Sequence, residues 1–190
     1  MDPSQGALPV QPAPRPTQGL PGEAPAPLDP IVDSPWSGKG EAPREIEAWT
    51  DYWTGRGRAE FRLYLERMGR WDSLVVANLD EEGLPRSLLY LPVIESGFSP
   101  TAVSHASAVG MWQFMAPTAR GYGMEVTPLV DERRDPWVAT PFALRFLLGL
   151  ADQFNGSWHL ALAGYNAGPG RVARTLERYA PGVEPSDSLY

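Results

Sequence analysis

The stretch Asp135-Pro136-Trp137-Val138-Ala139-Thr140-Pro141-Phe142-Ala143-Leu144-Arg145-Phe146-Leu147-Leu148-Gly149-Leu150-Ala151 decides the fold class. Asp135 before Pro136 is an N-cap and first-turn pair: the carboxylate accepts orphan N–H groups, and proline has no N–H to leave unpaired. Behind it, Leu144, Leu147, Leu148 and Ala151 recur at the spacing that sets them on one helical face. Asn155-Gly156 stops that helix, and Ser157 caps the next, from Trp158 to about Tyr165. Gly168-Pro169-Gly170 then reads as a turn, with a last helix over Arg171 to Tyr179.

Backwards from Asp135, the helical period reaches Glu45. Trp49, Tyr52 and Trp53 share a face of a first helix, and Phe61, Leu65 and Met68 mark a second, with Gly55 and Gly57 between them. Trp71, Leu74, Val75, Asn78 and Leu79 give an amphipathic segment ended by Gly83. Leu84-Pro85 opens a further helix with proline in its favoured first turn. That helix carries Leu88, Leu91, Pro92 and Ile94 and closes at Ser96-Gly97, a C-cap signature. Residues 97–110 lack a clean period and fit a loop or a short hairpin. There is no internal repeat, and the fold class is mainly α.

Composition sets the boundaries. Eleven of the 21 prolines precede Arg44, so residues 1–41 read as a Pro-rich flexible linker unable to bury a core. That leaves a domain over 42–180 and a tail over 181–190. Net charge is −7 and the arginines are scattered without a basic stripe, which argues against nucleic acid as substrate. The absence of cysteine excludes disulfides, thiolate catalysis and cysteine metal sites. His105 and His159 sit in separate segments, so neither a metal site nor a cofactor is expected. No hydrophobic run approaches a membrane span, and the N-terminus has no signal h-region. The Pro-rich start after Met1 looks like a chain cut downstream of an export signal or lipid anchor, so membrane anchoring is expected only through sequence absent from this chain.

The chemistry centres on Leu91-Pro92-Val93-Ile94-Glu95-Ser96-Gly97-Phe98. Glu95 stands at the end of an apolar run, with Leu91 and Pro92 one turn back and Leu88 two turns back. A glutamate desolvated by such neighbours keeps its proton near neutral pH and can protonate a leaving oxygen. Solvent exposure at a fraying helix end is the competing reading, and on Glu95 alone the two are even. Polar and aromatic groups in Gly110-Met111-Trp112-Gln113-Phe114-Met115 and Gly164-Tyr165-Asn166-Ala167-Gly168-Pro169-Gly170, held opposite Glu95, would make a cleft for a sugar chain. The combination points to glycosidic bond cleavage.

These blocks, in this order, resemble the soluble-lytic-transglycosylase domain, in particular that of the membrane-bound lytic murein transglycosylase D type. The resemblance runs from about Arg44 to Tyr179 and includes Asp131-Glu132-Arg133-Arg134-Asp135-Pro136. It implies a lysozyme-like α fold and cleavage of the MurNAc–GlcNAc β-1,4 bond of peptidoglycan with formation of 1,6-anhydro-MurNAc ends. By position, Glu95 matches the single acid/base, Ser104, Gln113 and Met115 match residues lining the muramoyl site, and Tyr165 matches the tyrosine near the carboxylate. A serine hydroxyl and a glutamine amide can hold sugar hydroxyls or the N-acetyl group, methionine gives an apolar wall, and the tyrosine hydroxyl can donate to the carboxylate or a sugar oxygen.

Each residue has a plainer reading beside that one. Gln113, between Trp112 and Phe114, is expected to be buried. Met115 fits core filler as well as subsite wall, and Tyr165 fits a core tyrosine with its hydroxyl at the surface. Asn166 reads as a cap or turn before Gly168, Ser96 as a helix cap or orienting group, and His105 as a solvated loop residue. Asp131 and Asp135 are the rivals for a second carboxylate. Asp135 is better explained as an N-cap and Arg133 and Arg134 offer charge partners, so both read as structural. Gly164 stands where the family usually has alanine, which loosens the helix by up to about 1 kcal/mol. The expected partner is the peptidoglycan glycan strand, engaged by a monomer exported to the periplasm or cell envelope. A hydrolytic lysozyme or chitinase on the same fold, and a non-catalytic peptidoglycan-binding module, are the alternatives.

Overall fold

Capping residues place the helix ends where their chemistry requires. The computed structural model describes Asp29, Ile31 and residues 44–186. Asp135 accepts from the Trp137 N–H at 2.9 Å and opens the long helix α6, Pro136–Gln153. Ser157 accepts from the Leu160 N–H at 3.2 Å and opens α7, Trp158–Ala167. Before them come α1 (Arg44–Thr54), α2 (Arg58–Met68), α3 (Asp72–Glu81), α4 (Leu91–Ser96) and α5 (Ala116–Gly121); α8 (Pro169–Tyr179) follows. The fold is mainly α, and among the described residues pairing outside the helices is limited to isolated bridges such as Val103 with Val109 and Val109 with Phe114. Residues 97–110 are thus a loop pinned by bridges.

Several local readings change. The single helix expected from Pro85 to Ser96 is two elements, a 3-10 helix over Arg86–Tyr90 and then α4. Pro92 explains the break: it has no N–H to return to the Leu88 carbonyl, so one i→i−4 ladder cannot run through it. Pro85 is the N-cap residue with extended backbone, not a first-turn residue. Ile94 is 78% exposed and lies off the core face, and Leu148 reaches the solvent edge of α6. α8 begins at Pro169, two residues early, because proline suits a first helical position and Gly168, at φ 88°, makes the turn by itself.

The core lies between α3, α4, the loop around Met111–Phe114 and α6. Val75, Leu79, Leu88, Phe98, Met111, Trp112, Ala143, Leu144 and Leu147 are all buried there. Leu150, Ala151 and Ala161 close α6 against α7. Gly164 belongs to this second contact. A Cβ added there would come within 3.0 Å of the Phe154 ring and 3.4 Å of a Leu150 methyl, so the missing methyl is a packing feature of the α6–α7 contact and not merely a loosened helix.

Two described positions precede α1. The Asp29 carboxylate accepts from the Ser87 N–H at 2.7 Å and the Ser87 hydroxyl at 2.9 Å, capping the 3-10 helix, and Ile31 packs on the core. The rest of the stretch read as a linker, and the last four residues of the tail, lie outside the described residues. Among the described residues no helix is long and apolar enough to cross a membrane.

Candidate active site

Glu95 is the next-to-last residue of α4, and the turn after it is built to end the helix there. Gly97 is left-handed at φ 58°, and its N–H bonds the Val93 carbonyl at 3.0 Å. The buried Phe98 is also left-handed, at φ 57°, a conformation that costs a bulky residue energy. Its N–H reaches the Pro92 carbonyl at 3.0 Å. A Cβ at Gly97 would stand 2.3 Å from the Tyr64 ring, so α2 closes on this turn with no room for a side chain.

Ser96 fastens the turn to the second motif block. Its hydroxyl donates to the Met111 carbonyl at 2.8 Å and accepts from the Ser99 N–H at 3.1 Å, tying the two segments together. The block itself is a tight turn, with Val109 and Phe114 exchanging backbone bonds of 3.0 and 3.1 Å. Gln113 sits in it at φ 51°, half-buried, and its side-chain amide donates to the Gly110 carbonyl at 2.8 Å. Trp112 is fully buried, its indole N–H on Thr140 at 3.0 Å.

The third block arrives on α7. Tyr165 donates to the Trp112 carbonyl at 2.6 Å, and its ring packs at 5.3 Å from Phe146 and 6.5 Å from Phe114. Sequence reading pointed its hydroxyl at the carboxylate, a sugar oxygen or the surface; here it donates to the backbone carbonyl of the buried Trp112. Burial and, after it, the charge of Glu95 hold the Tyr165 hydroxyl well above its ordinary pKa, which sets the two side chains within each other's field.

Glu95 itself is half-buried, and burial raises its pKa above the ordinary 4.5. Among the described residues no hydrogen bond or ion pair holds its carboxylate. Nothing offsets the desolvation, so the protonated form is favoured. The site therefore places a half-buried carboxyl group, its pKa raised by burial, within the field of Tyr165.

The other expected residues divide. Met115 is 42% exposed at the entry to α5 and is not core filler. Ser104 accepts from the Ala108 N–H at 3.0 Å inside its own loop, and no hydrogen bond takes it to Glu95, Gln113 or Tyr165. Asn166 neither caps nor turns the chain: it is exposed in the last turn of α7, and Gly168 is the cap. His105 is exposed in the loop. Among the described residues, no three His, Cys, Asp or Glu side chains are grouped to hold a metal ion.

Both rival carboxylates are engaged elsewhere. Asp135 caps α6, and Asp131 takes Arg133 in a two-pronged pair at 2.8 and 2.9 Å. Arg133 supplies the contact that sequence reading missed. It is 7% exposed, and its Nη1 donates to the Phe114 carbonyl at 3.0 Å, locking the Gln113 turn. Gly110 fits beneath it only as glycine, since a Cβ there would lie 1.8 Å from the Arg133 carbonyl oxygen. The Asp-Glu-Arg-Arg string flagged the region, but nothing in its spacing names a carbonyl 19 residues upstream.

Residues 74–182 match the Transglycosylase SLT domain family. The chain is 38% identical over 103 residues to the membrane-bound lytic murein transglycosylase D of Escherichia coli (strain K12), a match covering 54% of this chain and 23% of that protein. It is 33% identical over 133 residues to a putative tributyltin chloride resistance protein of Alteromonas sp. (strain M-1), covering 70% of this chain and 60% of the relative. Among solved structures it resembles an inactive mutant of the lytic transglycosylase Slt from Pseudomonas aeruginosa, with 31% identity, a TM-score of 0.47, and coverage of 54% of this chain and 17% of that one. The chain thus spans less than a quarter of the first of these relatives.

Proposed function

The chain belongs to the transglycosylase SLT domain family, and from that premise we propose that it is a peptidoglycan lytic transglycosylase with Glu95 as its single acid/base. The observation that carries the reading is a half-buried Glu95 with no hydrogen-bond or ion-pair partner among the described residues and a pKa raised by burial. In the reaction, Glu95 protonates the glycosidic oxygen between MurNAc and GlcNAc as that bond breaks. The 2-acetamido group of the substrate supports the oxocarbenium-like centre. Glu95, now a carboxylate, takes the proton of the C6 hydroxyl as its oxygen bonds to C1, which leaves a 1,6-anhydro end and restores the acid. Intramolecular capture outruns water through its high effective concentration.

Most glycosidases use a second carboxylate, to activate water or to act as nucleophile. The engagement of Asp131 by Arg133 and of Asp135 as an N-cap supports the one-carboxylate route. Gln113 and Met115 hold the muramoyl residue, Tyr165 fixes the wall beside Glu95, Ser96 orients the turn, and Ser104 shapes the loop. We place the catalytic domain at residues 42–180, acting as a monomer on glycan strands in the cell envelope.

Mass spectrometry of muropeptides released from purified peptidoglycan, with Glu95→Gln in parallel, tests the proposal. Anhydro-muramoyl ends from the parent and none from the variant are expected. Reducing ends would replace it with a hydrolase, and no product from either protein would leave a binding module.

A further inference from the structure

Residues 44–68 precede the stretch matched to the family, yet they carry the densest aromatic cluster on the surface of the described residues. On α1, Trp49 and Trp53 stack with ring centroids 6.3 Å apart and planes 21° from parallel, and Tyr52 meets both edge-on at 5.8 and 4.8 Å. Trp53 is held from beneath by Phe61 at 5.7 Å and Tyr64 at 5.8 Å on α2. Trp49 lies outermost and is 61% exposed, so one indole face is open to solvent. The rings border a shallow groove of about 560 Å³, completed by Ala48, Arg56 and Glu60.

A flat apolar face rimmed by the Arg56 guanidinium, which lies over the Tyr52 ring, and by the Glu60 carboxylate, which accepts from the Tyr64 hydroxyl, matches one class of ligand closely. A pyranose ring offers an apolar face of C–H groups, suited to indole, and a rim of hydroxyls and amides, suited to guanidinium and carboxylate. An anionic lipid surface fits poorly, because the groove itself carries the Glu60 carboxylate. The cluster is also joined to the candidate active site. Trp53 touches Tyr64, and Tyr64 closes on Gly97, two residues beyond Glu95. A strand lying across this groove would be held on the same rigid contact that ends the helix of Glu95.

We infer that α1 and α2 form a second carbohydrate site, a stacking platform that grips the glycan strand away from the bond being cleaved. The inference rests on the glycan-cleaving reading above. Its role is to raise affinity for long strands and leave short ones to the residues around Glu95.

Isothermal titration of N-acetylglucosamine oligomers of graded length, in the Glu95→Gln background to prevent turnover, tests it. Affinity should rise with length, and adding Trp49→Ala should remove that rise, weakening the longest oligomers by about tenfold. Trp49→Phe should keep most of it. Trp49→Ala also gives up its ring contacts with Trp53 and Tyr52, so a small drop in thermal midpoint is expected and the length dependence is the deciding readout. Long-oligomer binding indifferent to Trp49→Ala overturns the platform, as does a loss equal at every length. Muropeptide product from the Glu95→Gln protein would sink the catalytic reading separately, leaving the length dependence to be judged by itself.

Discussion

Glu95 can be tested through stability as well as turnover, because its two protonation states are not equally at home in the fold. Burial raises its folded pKa above the ordinary 4.5. The folded state therefore holds the proton when the unfolded chain has released it, and stability falls as pH rises from 4.5 through the raised value. Above that value the whole penalty is present; below 4.5 there is none. Glu95→Gln should thus raise the thermal midpoint at neutral pH and leave it unchanged near pH 4, with scans at both pH values as the check. The same substitution should lower the rate of product formation by at least about 100-fold. A residue with only a scaffolding role would lose stability and activity together. Tyr165 is a contrasting case, since its hydroxyl satisfies the carbonyl of the buried Trp112. Tyr165→Phe leaves that carbonyl unpaired and should cost about 1 kcal/mol in denaturant unfolding. A midpoint identical to the parent would mean that water replaces the hydroxyl.

At the scale of elements, the Gln113 turn depends on a clamp assembled from three segments. Arg133 reaches it from the 3-10 turn at Glu132–Arg134, Asp131 neutralises Arg133, and Gly110 lets the two chains touch. Removing the carboxylate leaves a buried guanidinium without its charge partner, so Asp131→Asn should destabilise by about 3 kcal/mol at neutral pH. Arg133 holds the Asp131 carboxyl below its ordinary 3.8, so this stability is present above pH 3.8 and is lost as pH falls through the lowered value. The gap between parent and variant, followed by urea midpoints, should close as the pH drops below 3.8; a constant gap would contradict the ion-pair account. The clamp also marks the limit of what sequence discloses. Asp135, Ser157 and Gly97 announced their helix ends because a cap bonds within a few residues of itself. The α class and the position of Glu95 followed from such signals. The 3-10 break before Pro92 was equally local, but the apolar period ran through it and hid it. Arg133 to Phe114 spans 19 residues, Ser96 to Met111 spans 15 and Tyr165 to Trp112 spans 53, and no local pattern encodes those partners.

For the whole molecule, the question is whether charge or contact shape holds the substrate. Net charge is −7, and the cations are dispersed, several in pairs such as Arg62 with Glu66, Arg86 with Asp80 and Arg133 with Asp131. Arg171, Arg174 and Arg178 are the local exception, three exposed residues spaced along α8 with no ion pair among the described residues. A row of three at the surface is screened within about 10 Å at 0.1 M salt, and it works against the field of the acidic remainder. Binding to the wall polymer should therefore rest on stacking and hydrogen bonds, which salt scarcely alters. Affinity of the Glu95→Gln protein for purified peptidoglycan, measured by co-sedimentation between about 50 and 500 mM salt, should change by less than about threefold. A steep loss across that range would move the seat of binding from the aromatic groove of α1 and α2 to the arginines of α8, and Arg174→Ala should then flatten the salt curve.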